Sequence, residues 1–136
     1  MNQTITKLLK QLTQEGVSTA EAAETIGSIE AAGGAHTAMK VMPADTAFGS
    51  AEISPGGAAD TPYTVTLALS SGKALSLKDF EKAYGESHFV PRMRPGQKPR
   101  VAFYYEPEGA PYSVAIFASH EDDNVISVLL RRDKRQ

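Results

Sequence analysis

Apolar residues near the N-terminus recur at the spacing of an amphipathic helix, and Gly16 follows them as a natural helix stop. Ser18 and Glu21 then form the S-x-x-E pattern that caps a second helix, which we expect to end at Gly33-Gly34. The sequence therefore predicts a helical hairpin over residues 3–32. The residues at positions i, i+3, i+4 and i+7 of its first helix are Ile5, Leu8, Leu9 and Leu12.

Alternation of apolar and polar residues replaces this helical spacing after residue 37. It is clearest over residues 63–70, which we predict to be a strand with one solvated face. Residues 37–42 and 46–54 are weaker strand candidates, because Pro43 directly follows the first and Gly49 interrupts the second. Further strands are predicted at 87–91, 100–106, 112–119 and 125–132.

The last two of these predicted strands are apolar on both faces. Such strands lie in the centre of a sheet, with other structure over each side. We expect a short helix to cover one side, and the N-terminal hairpin or a binding partner to cover part of the other.

That short helix is predicted over residues 76–84, within the segment LSLKDFEKAYG. Ser76 is placed as the N-cap and Asp79 as the carboxylate three residues later, the two members of a capping box. Leu75 and Phe80 can form the hydrophobic staple that often accompanies such a cap.

The order of these elements predicts an α+β fold. A helical hairpin at residues 1–34 precedes a domain at residues 35–136, in which about five to six mainly antiparallel strands carry the helix at 76–84. The 136 residues of the chain suit one compact unit overall.

The composition narrows the functions that need to be considered. The chain has no cysteine, so disulfides, thiolate catalysis and cysteine-ligated metals are excluded. No apolar run approaches the ~20 residues of a membrane-spanning helix, and the N-terminus lacks the apolar region of a signal peptide. These features predict a cytoplasmic protein, or a periplasmic one if an export signal has been removed.

No sequence motif for catalysis, nucleotide binding or metal binding is present. His36, His88 and His120 are scattered, and no nucleophile elbow, phosphate-binding loop or zinc-binding spacing occurs. The acidic segment HEDDN at residues 120–124 lacks the spacing of a calcium loop and is better explained as a hairpin turn. The sequence predicts a protein without catalytic residues, metal or cofactor. A small enzyme with a site assembled from distant residues remains an alternative.

Basic residues are the most distinctive feature of the second half of the chain, although the net charge is −2. Eight of the 14 Lys and Arg residues lie in two clusters, one in the loop RMRPGQKPR at residues 92–100 and one at residues 131–135. Aromatic residues follow the first cluster directly. Arginine beside exposed aromatic rings is typical of the energetic centres of protein interfaces. The residues predicted to contact a partner are Arg92, Arg94, Lys98, Arg100, Phe103, Tyr104 and Tyr105.

An acidic protein surface is the partner that this arrangement favours. Basic residues beside aromatic rings also occur in single-stranded nucleic-acid platforms, so a nucleic-acid or small-ligand binding domain is an alternative. A third interpretation is a loop that only keeps a hairpin soluble. The oligomeric state is open.

Residues 75–132 resemble small exported bacterial proteins of the β-lactamase-inhibitor-like type, which include the short lipoproteins of outer-membrane assembly. The resemblance rests on a capped helix ending in glycine (LSLKDFEKAYGE), an aromatic strand (RVAFYYE) and a closing hairpin (YSVAIFAS–HEDDN–VISVLLRR). The chain lacks the lipobox cysteine of those lipoproteins. The resemblance implies a non-enzymatic inhibitor, immunity or assembly accessory protein that docks on a partner through a sheet face or loops.

Overall fold

The computed structural model of the protein describes residues 2–33, 37–56, 61–92 and 94–135. Within these ranges the chain forms three helices and an antiparallel sheet of nine strands. The α+β class is therefore confirmed, but the sheet has more strands than the sequence predicted. The helices are α1 (Gln3–Leu12), α2 (Thr19–Ile26) and α3 (Leu77–Tyr84). The strands are β1 (Gly27–Ala31), β2 (Met39–Pro43), β3 (Phe48–Pro55), β4 (Pro62–Leu69), β5 (Leu75–Ser76), β6 (His88–Val90), β7 (Arg100–Tyr105), β8 (Tyr112–Glu121) and β9 (Asn124–Lys134).

The strands follow the order β1-β2-β3-β4-β9-β8-β7-β6, and the short β5 pairs with the first residues of β9. The two strands predicted to be central, β8 and β9, do lie inside the sheet, where they form a long hairpin. Strands β1 and β6 are the two edges. The basic loop joins the edge strand β6 to β7, so it lies at one end of the sheet.

All three helices pack on one face of the sheet, which we call the covered face. Helix α1 contacts β8, α2 contacts β2 and β3, and α3 contacts β7. Their apolar residues form one buried cluster with alternate residues of the central strands. Of the two covers expected for the side opposite α3, the N-terminal hairpin is therefore wrong, and a binding partner stays a prediction. The other side of the sheet, which we call the open face, carries no helix from the described residues.

The second helix is shorter than predicted, because the chain turns from helix to strand at Gly27. The structure has α2 end at Ile26 and continue as β1, which pairs with β2. A Cβ atom at Gly27 would lie 1.9 Å from the carbonyl oxygen of Met42, so only glycine fits this approach of two strands. Because α2 continues directly into the edge strand β1, the N-terminal hairpin is held on the covered face of the sheet. The predicted domain boundary between residues 34 and 35 lies outside the described residues.

The cap of α3 also differs from the prediction, since Ser76 makes no side-chain bond to the first turn of the helix. Asp123, in the turn between β8 and β9, takes that role. Its backbone oxygen accepts a hydrogen bond from the Leu77 amide at 2.8 Å, and its carboxylate accepts one from the Ser76 hydroxyl at 2.8 Å. The acidic turn therefore holds the start of α3 against the sheet.

The carboxylate of Asp45 stabilises the turn before β3, and its pKa allows that contribution to be tested. The carboxylate accepts hydrogen bonds from the Ala47 amide at 2.9 Å and from the Asn2 side chain at 3.0 Å, and these lower its pKa below the usual 3.8. A lowered folded-state pKa gives stability that is present above the unfolded pKa and is lost as pH falls through the folded value. We expect Asp45→Asn to lose less stability than the wild type between about pH 5 and pH 2.

Thermal unfolding followed by circular dichroism across that pH range would measure the difference. Asp79→Asn, at an exposed carboxylate in α3, controls for the change in net charge. Parallel pH profiles for the wild type and Asp45→Asn would contradict the assignment.

Candidate functional site

The centre of the open face is apolar. Register pairs Phe117 of β8 with Ala102 of β7 on one side and with Leu129 of β9 on the other, and Leu129 with Thr66 of β4. Neighbouring residues along each strand point to the covered face instead, as the alternation of a strand requires. Phe117 and Leu129 are partly exposed, whereas Ala102 is buried. The open face thus has an aromatic residue at its middle that no described helix covers.

Two arginines lie over the ring of Phe117. The guanidinium carbons of Arg100 and Arg131 are each 5.3 Å from the ring centroid. They come from β7 and β9, the strands on either side of β8, and from the two basic clusters of the sequence. Each such contact is worth about 0.5–1 kcal/mol at an exposed site. We call Arg100, Phe117 and Arg131 the arginine–phenylalanine cluster.

The two arginines differ in how they are neutralised. The Nε atom of Arg131 donates to both carboxylate oxygens of Asp133 at 3.1 Å. The Nε atom of Arg100 is buried and has no hydrogen-bond partner within the described part of the chain. Its guanidinium stacks on Phe117, and its charge is available to an anionic group. A buried donor without a partner costs about 1–3 kcal/mol, which a group on a binding partner could offset.

Tyr104 extends this surface towards the edge of the sheet. It is 47% exposed on the open face, and its ring makes an edge contact with the ring of His88 at 5.2 Å between centroids. His88 belongs to β6, so aromatic surface continues from the middle of the sheet to its edge.

The other two aromatic residues predicted to contact a partner face the core. Phe103 is fully buried and stacks on Phe80 of α3 at 5.9 Å between centroids. Tyr105 is half-buried against Tyr84 at 6.4 Å. Phe103 is thus inaccessible to a partner, because α3 lies over it. Of the three rings, Tyr104 is the exposed one.

The basic loop is mostly exposed. A tight turn places Pro95 and Gly96 at its tip, where Gly96 has a φ of 80° that favours glycine. Arg92 and Arg94 lie in solvent. Lys98 forms an ion pair with Glu121 of the neighbouring hairpin. Arg100 ends the loop and joins the arginine–phenylalanine cluster, so the loop and the open face are continuous.

The second basic cluster divides between the surface and the fold. Arg132 is buried, and it donates to the carbonyl oxygens of Leu12 at 2.8 Å and Gln14 at 2.6 Å. Arg135 donates to the carbonyl oxygen of Pro107. Arg131 is the member of this cluster that stacks on Phe117. Sequence reasoning missed Arg131 and Phe117 as site residues, because their meeting with Arg100 depends on the pairing of three strands.

A groove opens where β6 forms the edge of the sheet, and we call it the edge groove. It encloses about 610 Å³, and its lining among the described residues contains two arginines and a histidine but no carboxylate. Arg100 belongs to both the groove and the arginine–phenylalanine cluster, so the two sites adjoin. The lining residues are Phe89, Val90, Pro91, Arg92, Pro99, Arg100, Val101 and His120.

Within the described ranges, no three His, Asp or Glu side chains converge as metal ligands, and none of the helices has the length and apolar character of a membrane span. The ring of His120 lies 3.0 Å from the backbone oxygen of Asp122, while His36 lies outside the described residues.

Comparison with known proteins gives no match: no family model, curated protein or solved structure is significantly similar to the chain. The resemblance to β-lactamase-inhibitor-like proteins stays a prediction.

Proposed function

We propose that the protein is a non-enzymatic protein-binding module that contacts its partner through the open face and the basic loop. The observation that supports this most is the arginine–phenylalanine cluster at the centre of an uncovered sheet. Arg100 and Arg131 flank Phe117 there, with Tyr104 exposed beside them. An inhibitor, immunity or assembly accessory protein would have such a surface, as the sequence resemblance implies.

The composition of this surface favours a protein partner. Aromatic residues and arginine are enriched at the centres of interfaces, and they dominate the binding energy there. The strands hold Phe117 and Leu129 in place before binding, so little conformational entropy is lost on contact. The Nε atom of Arg100 lacks a hydrogen-bond partner among the described residues. A carboxylate on the partner would supply one, which makes an acidic protein surface the best fit.

Nucleic acid is the second candidate, because Arg100 and Arg131 bring the two basic clusters together on one face. Two observations make it weaker. Arg132 and Arg135 bind backbone carbonyls, so they are not available to phosphates. The ring of Phe117 is already stacked by guanidinium groups, which leaves less of it for a base.

The double substitution Arg100→Glu with Arg131→Glu tests the proposal. We expect affinity for the native partner to fall about 30-fold or more, equivalent to the ~2 kcal/mol of one hot spot. The reason is that an acidic partner surface would then face two carboxylates in place of two cations. The partner would be captured from a lysate, purified, and titrated against each variant by surface plasmon resonance.

The matched control is Lys73→Glu with Lys82→Glu, which changes the charge equally at exposed positions away from the open face. Equal affinity of both double variants for the partner would rule out the open face as the contact. If the species lost from the Arg100/Arg131 variant is nucleic acid, and binding falls steeply with salt, the second candidate replaces the first.

A further inference from the structure

Phe89 is the most exposed large apolar residue among those described, at 84%. Register pairs it with Val101, so both side chains point towards the covered face. Helix α3 covers Phe103 and not the edge strand β6, and Phe89 is therefore left without cover. The fold gives no reason for a phenylalanine at this position, where a polar residue would avoid exposing apolar surface.

The surroundings of Phe89 are also apolar. Val90, Pro91, Pro99 and Val101 line the same groove, so the ring is part of a continuous apolar concavity. Isolated exposed apolar residues are common, but an apolar groove at a sheet edge marks a binding site. Its volume of about 610 Å³ is ample for one large side chain of a ligand.

The outer edge of β6 offers a backbone for pairing. Strand β6 pairs with β7 on one side. On the other side, no backbone hydrogen bond from the described residues reaches His88, Phe89 or Val90. A free edge is a template for one more strand, unless lysine or another charge on the strand discourages it. The segment His88–Val90 carries no lysine, arginine or carboxylate, although Pro91 limits the pairing to a short stretch.

Charge selects the kind of ligand. Arg92 and Arg100 line the groove, and Arg94 follows in the exposed loop. The nearby carboxylate of Glu121 forms an ion pair with Lys98. A ligand with acidic side chains therefore complements the rim, while its apolar side chains complement the floor.

We propose, building on the function proposed above, that the partner supplies an extended acidic segment that adds as a strand to the edge of β6. One large apolar side chain of this segment packs against Phe89 in the edge groove. A neighbouring carboxylate binds the guanidinium of Arg100, which connects the edge groove to the open face. Main-chain hydrogen bonds give such a complex its affinity, and the pocket gives it specificity.

A display library of random linear dodecapeptides, selected on the full chain, provides the ligand for the test. We expect the enriched peptides to carry Asp or Glu within a few residues of an aromatic or large aliphatic residue. A synthetic peptide of the enriched sequence should protect backbone amides of β6 from hydrogen exchange. We expect Phe89→Ser to weaken its binding about 30-fold, as loss of an aromatic anchor does. The variant should fold, because Phe89 is 84% exposed.

Tyr63→Ser is the matched control, since Tyr63 is an aromatic residue 44% exposed on β4, away from this edge. The inference is overturned if no acidic peptide is enriched, or if Phe89→Ser and Tyr63→Ser bind the peptide equally. Protection confined to the open face would also overturn it. So would self-association of the chain that Phe89→Ser abolishes, because the edge would then bind a second copy.

Titration of the native partner against single variants distinguishes failure of this inference from failure of the function it rests on. If Arg131→Glu weakens binding of the native partner and Phe89→Ser does not, the open face is the contact surface and the edge inference is wrong. If Phe89→Ser weakens binding of the native partner and Arg131→Glu does not, the partner binds at the edge of β6 and the proposed role of the open face is wrong.

Discussion

Replacement of Phe103 with alanine is expected to lower the free energy of unfolding by about 3–5 kcal/mol. The ring is fully buried where α3 meets the sheet. It stacks on Phe80 at 5.9 Å and lies 6.4 Å from Tyr84, measured between ring centroids. Truncation would remove both contacts and leave a cavity that the rigid sheet cannot close. Since α3 is one short helix capped by Asp123, loss of its main anchor also weakens its attachment.

Tyr104→Ala is the matched control, because it truncates the next aromatic residue along the same strand. Tyr104 is 47% exposed, so we expect its loss to change stability by less than about 1 kcal/mol while it weakens partner binding. Urea unfolding of both variants, followed by fluorescence and circular dichroism, gives the two free energies. Similar destabilisation by the two substitutions would show that the assignment of strand faces is wrong.

The contrast between these neighbours shows what the sequence could predict. Alternation along β7 places Phe103 and Tyr105 on the same face, and both point towards the core. Alternation cannot identify which face is covered, because that depends on where the helices pack. Both were therefore placed in the candidate contact surface, although α3 makes Phe103 inaccessible.

Local patterns predicted the elements that depend on local interactions. The spacing of apolar residues gave α1, and all four of its predicted apolar residues are buried. Strand β1 escaped prediction because Ile26 and Ile29 continue a helical spacing. Its formation depends on pairing with β2, a tertiary interaction that overrides local preference. The cap of α3 was missed for a related reason, since Asp123 lies 47 residues from Ser76.

The residues of the candidate site also divide into those that a local pattern identifies and those that only strand pairing brings together. Arg100 was identified because it stands in a visibly basic loop beside aromatic residues. Phe117 and Arg131 were not, because register alone brings them to Arg100: β8 pairs with β7 on one side and with β9 on the other. Phe117 also stands within a uniformly apolar segment, where neither its exposure nor its arginine contacts leave a local signal.

Arg131 and Arg132 are adjacent and identical in type, yet the structure gives them opposite roles. Substitution of Arg132 with glutamine is expected to cost about 2–4 kcal/mol of stability, from loss of charged hydrogen bonds and of a cation–π contact. Its guanidinium donates to the carbonyl oxygens of Leu12 and Gln14 and lies 3.5 Å from the ring centroid of Tyr112. The shorter glutamine would leave those carbonyls without their donor. Helix α1 would then be attached to β9 less firmly.

Arg131→Gln removes the same charge one residue earlier, and we expect it to alter stability by less than about 1 kcal/mol. Its effect should appear in partner affinity, because Arg131 lies on the open face with Phe117. Denaturant unfolding and partner titration of both variants therefore separate the two roles. If the protein binds through the open face, the less stable variant Arg132→Gln keeps near wild-type affinity while folded, and the stable variant Arg131→Gln loses it. Loss of affinity in Arg132→Gln alone would instead place the contact on the helical side of the sheet.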